Sequence, residues 1–303
     1  MSEISHLHHA GHVVRDLRAA LQLYRRLGFV CAPPDYPVLA RRAGELATPF
    51  GAANTHAYFA RNFVEIRTVA DEGTRLPVEA RAIPLQVPAA ALPSVVATIE
   101  RTIGKISDAL ARFEGVHILV FATEDADATA ARFDRTGIRH SGVNVAQRPG
   151  DAAPIRVIEI EDPDVPEGRL AIAEHPPRAP SASLDHANGA LDLVEATLCV
   201  ADASIDAVAA RYERYLDHPA RHSGGTRVFD LQASWLRLVP ASLLSEPPPA
   251  LPGFVGYAVT VHDLDATRQL LAANAVRLQS PSADEVVVPG RAALGASVEF
   301  RQA

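Results

Sequence analysis

The chain has 303 residues, 48% of them hydrophobic and 21% charged, so it can bury a core and is not a disordered chain. This length has room for about two domains of ordinary size. The formal net charge of −7, with a sequence pI near 5.9, excludes a nucleic-acid backbone as the partner, because phosphate binding needs concentrated Lys and Arg.

The sequence also indicates a cellular compartment. No apolar run approaches the roughly 20 residues that a membrane helix needs, and residues 1–5 show no signal-peptide pattern. Cys31 and Cys199 lie in apolar, strand-like surroundings and are predicted to be buried thiols, not a disulfide. We therefore expect a cytoplasmic protein that does not associate with a membrane.

Four segments of the chain repeat one pattern. Each begins with an apolar, β-branched run, reaches an Asp, and continues into an amphipathic stretch of about fifteen residues. The Asp can cap the helix by accepting hydrogen bonds from the N–H groups of its first turn. The segments are HHAGHVVRDLRAALQLYRRLGF from His8, VHILVFATEDADATAARFDRTGI from Val116, VEATLCVADASIDAVAARYERYL from Val194 and GFVGYAVTVHDLDATRQLLAANAV from Gly253, with capping residues Asp16, Asp125, Asp202 and Asp263. Gly28 and Gly137 are predicted to end the first two helices, where a left-handed residue is favoured.

A short apolar strand closes each unit, after a Gly- and Pro-rich segment suited to hairpins. The closing strands are NFVEIRTV around Glu65, GRLAIAEH around Glu174, SWLRLVP around Arg237 and SVEFRQ around Glu299. The predicted fold class is therefore α+β, with four tandem βαβββ modules at about 6–70, 113–175, 190–240 and 252–303.

Two segments lie outside the repeat. The first is an insertion at about 86–112 that contains an amphipathic helix, LPSVVATIERTIGKISDALARF from Leu92. The second is a connector rich in Pro, Ser and Ala that begins at His175, and it is the best candidate for a boundary. We expect an N-terminal module pair at 1–175 and a C-terminal pair at 184–303. His186 and Asn188 in the connector are predicted to form a turn or cap.

The opening segment resembles the first strand and helix of vicinal-oxygen-chelate modules, in which a His begins the strand and a V-x-D-L turn leads into the helix. FVEI resembles their closing strand, where a Glu is the second ligand. Residues 184–202 and 286–300 resemble the C-terminal half of large bacterial glyoxalase-like domain proteins. The resemblance covers nearly the whole chain and implies that modules one and two, and modules three and four, pair into two cup-shaped half-barrels. The superfamily includes isomerases, dioxygenases, transferases and metal-free drug-binding proteins, so the resemblance does not choose a reaction.

The resemblance also implies a metal site in the first cup. The family's ligand position is His9 in module one, and the closing strand supplies Glu65. Strand alternation puts residues 9, 11 and 13 on one face, so His9 and Glu65 can point into the same concavity. In module two, His117 is one residue out of register and needs a bulge to face the cup, and His175, or its neighbour Glu174, ends the closing strand. The expected ligands are His9, Glu65, His117 and His175, and the expected cofactor is a divalent metal ion (Fe, Mn, Zn or Ni).

Other polar residues of the first cup are expected to act on the substrate. Glu65 and His56 are the catalytic candidates, and Asn54 and His56 are the substrate-binding candidates, although a polar hairpin edge explains Asn54 and His56 equally well. The equivalent positions of the second cup contain no His, which argues against a metal there and against extradiol ring cleavage. Glu299 is expected to bond Arg237 across that cup as a structural pair.

Two functions of different classes are compatible with these residues. The leading hypothesis is a metal-dependent isomerase, lyase or dioxygenase, in which the metal binds two adjacent oxygens of a small organic molecule and stabilises an enolate or oxyanion. The alternative is a metal-free protein that binds or sequesters a small molecule. In both, the partner is a small molecule. Four modules complete two cups within one chain, so a monomer or a homodimer is expected.

Overall fold

The computed structural model describes residues 3–42, 44–146, 154–161, 165–174, 185–279 and 284–303. Its helices are α1 (Leu17–Arg26), α2 (Leu92–Arg112), α3 (Ala126–Thr136), α4 (Ile205–Leu216) and α5 (Leu264–Ala273). Its strands are β1 (Ile4–Val13), β2 (Asp35–Leu39), β3 (Thr48–Pro49), β4 (Gly51–Tyr58), β5 (Phe63–Ala70), β6 (Arg81–Pro84), β7 (Gly115–Thr123), β8 (Asn144–Ala146), β9 (Ile155–Glu159), β10 (Arg169–Glu174), β11 (Ala190–Val200), β12 (Arg221–Ser223), β13 (Thr226–Leu231), β14 (Ser234–Pro240), β15 (Gly253–Val261), β16 (Glu285–Val288) and β17 (Ser297–Gln302). The predicted α+β class is confirmed.

The strands form two mixed sheets that correspond to the two predicted pairs of modules. The N-terminal sheet has the order β3-β2-β4-β5-β1-β7-β10-β9-β8, with β6 beside β2, and the C-terminal sheet has the order β12-β13-β14-β11-β15-β17-β16. The closing strand of each module lies parallel to its first strand, and the two first strands of a pair, β1 with β7 and β11 with β15, run antiparallel. In the part of module four that is described, two strands follow the helix instead of three.

The predicted Asp caps are present in three modules. Asp16, Asp125 and Asp263 accept hydrogen bonds from N–H groups in the first turns of α1, α3 and α5. The prediction for Asp202 is wrong, because this residue begins a short 3₁₀ turn before α4 and its carboxylate accepts from the Ser242 backbone N–H at 3.1 Å. A carboxylate bonded across to another loop is not free to cap the helix that follows it.

The inserted helix α2 lies on one face of the N-terminal sheet, which we call the inner face. Only Ile106 of the described α2 residues is fully buried, and it packs in a small apolar cluster with Val13, Ile118 and Val120. The opposite, outer face of the sheet packs into a much larger core that also contains α1, α3, α4, α5 and the C-terminal sheet. The insertion therefore covers the cup instead of adding to the core.

The described part of the connector is bonded firmly to module one. His186 accepts from the Val30 N–H at 3.0 Å and donates to the Tyr58 carbonyl at 2.9 Å. The Asn188 side chain donates to the Leu27 carbonyl at 2.8 Å, at the end of α1. Their predicted turn or capping role is confirmed, since both side chains satisfy backbone groups that the strand and helix ends leave without partners.

Both cysteines are free thiols, with Cys199 buried and Cys31 partly buried. Burial raises the pKa of Cys31 to about 12 and that of Cys199 to about 11, so neither is a thiolate at neutral pH. Across the described residues, no helix combines the length and the apolar character that a membrane span requires.

Candidate functional site

The register of the N-terminal sheet places the predicted polar residues of module one on its inner face. His9 lies beside Phe63, Gly11 beside Glu65 and Val13 beside Arg67, where β1 and β5 run parallel. On the other side of β5, His56 is paired with Glu65 and Asn54 with Arg67. Because paired residues on adjacent strands point to the same side of a sheet, all the module-one candidates share this face.

Glu65 is the buried acidic residue of the inner face, with a side chain only 7% exposed. The Asn54 amide donates to its Oε1 at 3.2 Å, and Arg67 Nη1 lies 3.7 Å from the same oxygen. Gly11, beside it on β1, has no side chain, and a Cβ there would lie 2.6 Å from Ile118 Cβ. The carboxylate is thus held by donors from β4 and β5, and Ile118 fills the space where a side chain at residue 11 would lie.

Three histidine rings surround Phe63, which lies two residues before Glu65 on β5. His9 stacks on the Phe63 ring with centroids 4.5 Å apart, and His8 and His56 meet it edge-on at 5.2 and 5.1 Å. The Nδ1 atoms of His8 and His9 are 2.7 Å apart, so one of them donates to the other. This contact and the stacking on Phe63 fix the orientation of the His9 ring on the inner face.

His117 lies at a β-bulge. The sequence predicts that His117 can face the cup only if such a bulge is present. The pairing between β1 and β7 jumps from Gly11–Ile118 to His12–Val116, which leaves His117 as the extra residue. Its ring Nε2 lies 2.8 Å from the Phe113 carbonyl, so this nitrogen carries the proton and donates. Burial lowers the pKa of His117 to about 4, so the ring is neutral. Its Nδ1 is then an acceptor, and it has no hydrogen-bond partner among the described residues.

Of the other two candidates of module two, the structure describes only Glu174, which does not add to this cluster. Glu174 accepts from the Ala126 N–H at 2.8 Å and from Arg156 at 3.0 Å, so it binds the start of α3 instead of the inner face. His175 lies outside the described residues. A carboxylate engaged at a helix N-terminus is stabilised there by the helix dipole and by the free N–H groups.

The described residues do not by themselves fit a metal ion. His9 and Glu65 have suitable chemistry and share a face, but a first-row metal needs three or more protein ligands for stable retention. Among the described residues, no group of three or more His, Cys, Asp or Glu side chains is placed to hold one. Glu65 also lies against the cation of Arg67, which competes with a metal for the carboxylate.

A cavity of about 460 Å³ lies between α2 and the module-two side of the inner face. Its walls combine apolar residues with Arg67 from β5, His117 from β7, Arg169 from β10, and Lys105 and Arg112 from α2. Sequence reasoning missed these cations. Arg67 follows Glu65 by two positions and could have been placed on the inner face by alternation, but no sequence signal places α2 against it.

The second cup is built around a carboxylate held by two arginines. Arg237 donates to both oxygens of Glu195 at 2.9 Å, and Arg301 also reaches them at 2.8 and 3.2 Å. Burial alone would raise the pKa of Glu195, but the hydrogen bonds from Arg301 and Arg237 outweigh it and lower the pKa below its usual value. The expected pairing of Glu299 with Arg237 is wrong, because Glu299 bonds Arg301 at 2.6 Å while Arg237 is taken by Glu195.

Four modules joined in pairs through their first strands form the architecture of the vicinal-oxygen-chelate superfamily. A family model described as "Glyoxalase-like domain" matches residues 7–216, more than two thirds of the chain. The chain belongs to this glyoxalase-like domain family. A search of curated protein sequences returned no significant match.

Solved structures share the fold over almost the whole chain. A hypothetical protein from Staphylococcus aureus matches with a TM-score of 0.60 at 10% identity, covering 99% of this chain and 100% of its own. A mutant of 4-hydroxymandelate synthase from Streptomyces coelicolor matches with a TM-score of 0.61 at 15% identity, covering 99% and 93%. The Mn(II)-bound glyoxalase from Novosphingobium aromaticivorans matches with a TM-score of 0.57 at 11% identity, covering 100% and 83%. At such identities the likeness concerns the fold alone.

Proposed function

We propose that this chain binds a small organic molecule with adjacent oxygen atoms on the inner face of the N-terminal sheet, with Glu65 as the polar centre of the site. One observation carries the proposal. Glu65 is a buried carboxylate beside Arg67, and Arg67 lines a cavity of about 460 Å³ that α2 covers. Burying a charge is costly unless it is paired, and charged groups beside a partly enclosed cavity are typical of ligand sites.

The inner face provides groups suited to such a ligand. Asn54 and His56 flank Glu65 on β4 and can donate to its oxygens, and they are the substrate-binding residues of this proposal. Glu65 is the group that would accept a proton from the bound molecule, with His56 beside it as a partner in proton transfer. The stacked rings of His9 and Phe63 lie on the same face, one strand pair away from Glu65.

The test is a thermal-shift titration with a panel of 2-oxo acids, 2-hydroxy acids and catechols as probes. We expect at least one class to raise the melting temperature of the wild type and to have no such effect on Glu65→Gln. A ligand at a hundred times its Kd stabilises the folded state by about 2.7 kcal/mol. Glu299→Gln, which changes the matching carboxylate of the second cup, is the control and keeps the wild-type response. Equal responses of Glu65→Gln and the wild type would show that Glu65 is not the centre.

A metal-dependent enzyme is the second candidate function, and the shared face of His9 and Glu65 favours it. Its ligand set is His9, Glu65, His117 and His175, with a divalent iron, manganese, zinc or nickel ion. The Mn(II) of the similar glyoxalase structure supports the choice of ions. The reaction would then be that of an isomerase, a lyase or a dioxygenase.

Elemental analysis tests this second candidate on protein purified without added metal and without a His-rich tag. This candidate requires about one equivalent of metal in the wild type and in Glu299→Gln, and a large loss in His9→Ala. Metal is also expected to leave as the pH falls below about 6, because protons compete for imidazoles with a reference pKa near 6.5. Protein without metal, or equal metal in both variants, contradicts this candidate and leaves ligand binding by Glu65 unaffected.

A further inference from the structure

The cavity beside α2 is richer in cations than in acids, although the chain as a whole carries a net charge of −7. The cationic residues on its wall are Arg67, Lys105, Arg112 and Arg169, and the acidic residues are Asp108 and Glu159. Positive charge gathered in a partly enclosed cavity raises the local concentration of anions and strengthens their binding. The charge of the wall therefore favours an anionic ligand.

The four cations differ in how closely a described carboxylate approaches them. Lys105 and Arg169 both bind Glu159, at 2.8 and 3.4 Å. Arg112, in contrast, donates to the Pro252 backbone carbonyl at 2.6 Å and forms no ion pair with any of the described carboxylates. Arg67 has only the 3.7 Å contact with Glu65, and its buried Nε has no hydrogen-bond partner in the described parts of the chain.

His117 adds an acceptor to the same wall. It is 2% exposed, and because its Nε2 donates to the Phe113 carbonyl, the lone pair of Nδ1 is available. An unpartnered buried acceptor is costly unless a donor reaches it. A hydroxyl on the ligand is the simplest donor that such a nitrogen can accept from.

The remaining wall is apolar. Val13, Ile106 and Ile118 come from the small cluster on the inner face, and Ile160 and Val165 complete this side of the cavity. Burying the apolar body of a ligand against such side chains contributes about 25 cal/mol per Å² of surface removed from water. The cavity thus has separate surfaces for an acid group, a hydroxyl and an apolar body.

We propose that this cavity binds a hydroxylated organic acid with an apolar body, the acid group against Arg112 and Arg67 and the hydroxyl on His117. This inference rests on the proposed function and names its ligand class. The acid and hydroxyl oxygens of a 2-hydroxy acid are adjacent, so one such molecule meets both requirements.

The experiment uses three matched probes: 3-phenylpropanoate, its neutral amide 3-phenylpropanamide, and 2-hydroxy-3-phenylpropanoate. Isothermal titration at low salt is expected to show the acid binding at least tenfold more tightly than the amide, and the hydroxy acid more tightly still. Added salt weakens binding of the acids and not of the amide, since screening acts on charge.

Variants assign each preference to a residue. Arg112→Gln keeps a donor for the Pro252 carbonyl and removes the charge, so it should weaken both acids at least tenfold and leave the amide unchanged. Arg67→Gln is expected to do the same, and His117→Phe should abolish the advantage of the hydroxy acid alone. Arg101→Gln, on the exposed side of the same helix, is the matched control and keeps wild-type affinities. Circular dichroism and melting temperature verify folding.

The outcomes separate this inference from the proposed function. Equal affinity of acid and amide, an Arg101→Gln effect equal to that of Arg112→Gln, or no binding of any probe at millimolar concentration overturns the inference. A rise in the melting temperature of the wild type with the 2-oxo acids or catechols, lost in Glu65→Gln, would then still support the proposed function. Acid binding that depends on Arg112 but is unchanged in Glu65→Gln supports the inference and contradicts the role of Glu65.

Discussion

His12 is fully buried between the two halves of the chain, three residues after the candidate ligand His9. Its Nε2 donates to the Leu294 carbonyl at 2.8 Å, so its Nδ1 accepts from the Tyr24 hydroxyl at 3.0 Å. The Tyr24 oxygen in turn accepts from Tyr257 at 2.8 Å. Each of these groups has a partner. The hydrogen bond from Tyr24 needs the lone pair of Nδ1, so this network forms only while His12 is neutral.

This network predicts a loss of stability in mild acid. Burial lowers the pKa of His12 from 6.5 to about 4 in the folded chain. The stabilisation of the neutral ring is complete above pH 6.5 and is lost as the pH falls towards 4, because the unfolded chain binds the proton first. Between pH 7 and 5, the unfolding free energy of the wild type should fall by about 2 kcal/mol more than that of His12→Gln.

Urea unfolding at the two pH values measures this difference. His222→Gln, which changes an exposed histidine on β12, is the control and should show the wild-type dependence. The same pH dependence in His12→Gln and the wild type would show that His12 is not the group that titrates.

At the scale of elements, the close contact between β7 and β10 shapes the cavity. Gly168 precedes β10 with φ +141°, and a Cβ there would lie 2.2 Å from the His117 carbonyl oxygen. The bulge at His117 and the absence of a side chain at Gly168 therefore occur together. A side chain at residue 168 would push β10 away from β7, because the His117 backbone atoms cannot yield as a flexible side chain can.

Gly168→Ala is expected to destabilise the chain by more than about 2 kcal/mol, since it adds a backbone clash to an unfavourable φ. Gly142→Ala is the matched control. Its φ is also positive, at +72°, but no atom lies within 4 Å of the added Cβ. It should cost only about 1 kcal/mol, the usual penalty for a left-handed residue with a side chain. Equal losses of unfolding free energy in urea would show that the strands can adjust.

At the scale of the whole molecule, one hydrophobic core extends through both module pairs. Polar contacts join them as well. The Asn62 side chain bonds both the N–H and the carbonyl of Leu193 at 2.8 Å, and Arg132 donates to the carbonyls of Arg214 and Tyr215 at 2.9 Å. The proposed division at residues 175 and 184 therefore separates two sheets that share a core.

We expect both pairs to unfold in one cooperative transition. Trp235, the single tryptophan, lies on β14 and reports on the C-terminal sheet, while far-ultraviolet circular dichroism reports on both sheets. The two signals should change together in urea. Asn62→Ala leaves two buried backbone groups of Leu193 without partners and should lower both midpoints, by about 1–3 kcal/mol of unfolding free energy.

Asn144→Ala is the control, because the Asn144 side chain is exposed and, among the described residues, bonds its near neighbours Ser141 and Gly142. A Trp235 transition that does not move in Asn62→Ala would show that the sheets unfold separately.

Much of the fold was predictable from the sequence because its signals are local and repeated. An apolar run opens each βαβββ unit, and an Asp cap follows it at 16, 125 and 263, so each signal depends on neighbours within a few residues. Alternation along β1 and β5 was likewise enough to put His9 and Glu65 on one face. Asp202 shows the limit, because a contact with Ser242, far along the chain, decides what it does.

The sequence by itself determined the α+β class, the four modules and the face that His9 and Glu65 share. Only the tertiary structure decided that α2 covers this face, that a bulge brings His117 to it, and that Arg67, Arg112 and Arg169 line one cavity. The reason is physical. Strand and helix periodicity depend on adjacent residues, whereas the charge and shape of a cavity depend on side chains brought together from six separate elements.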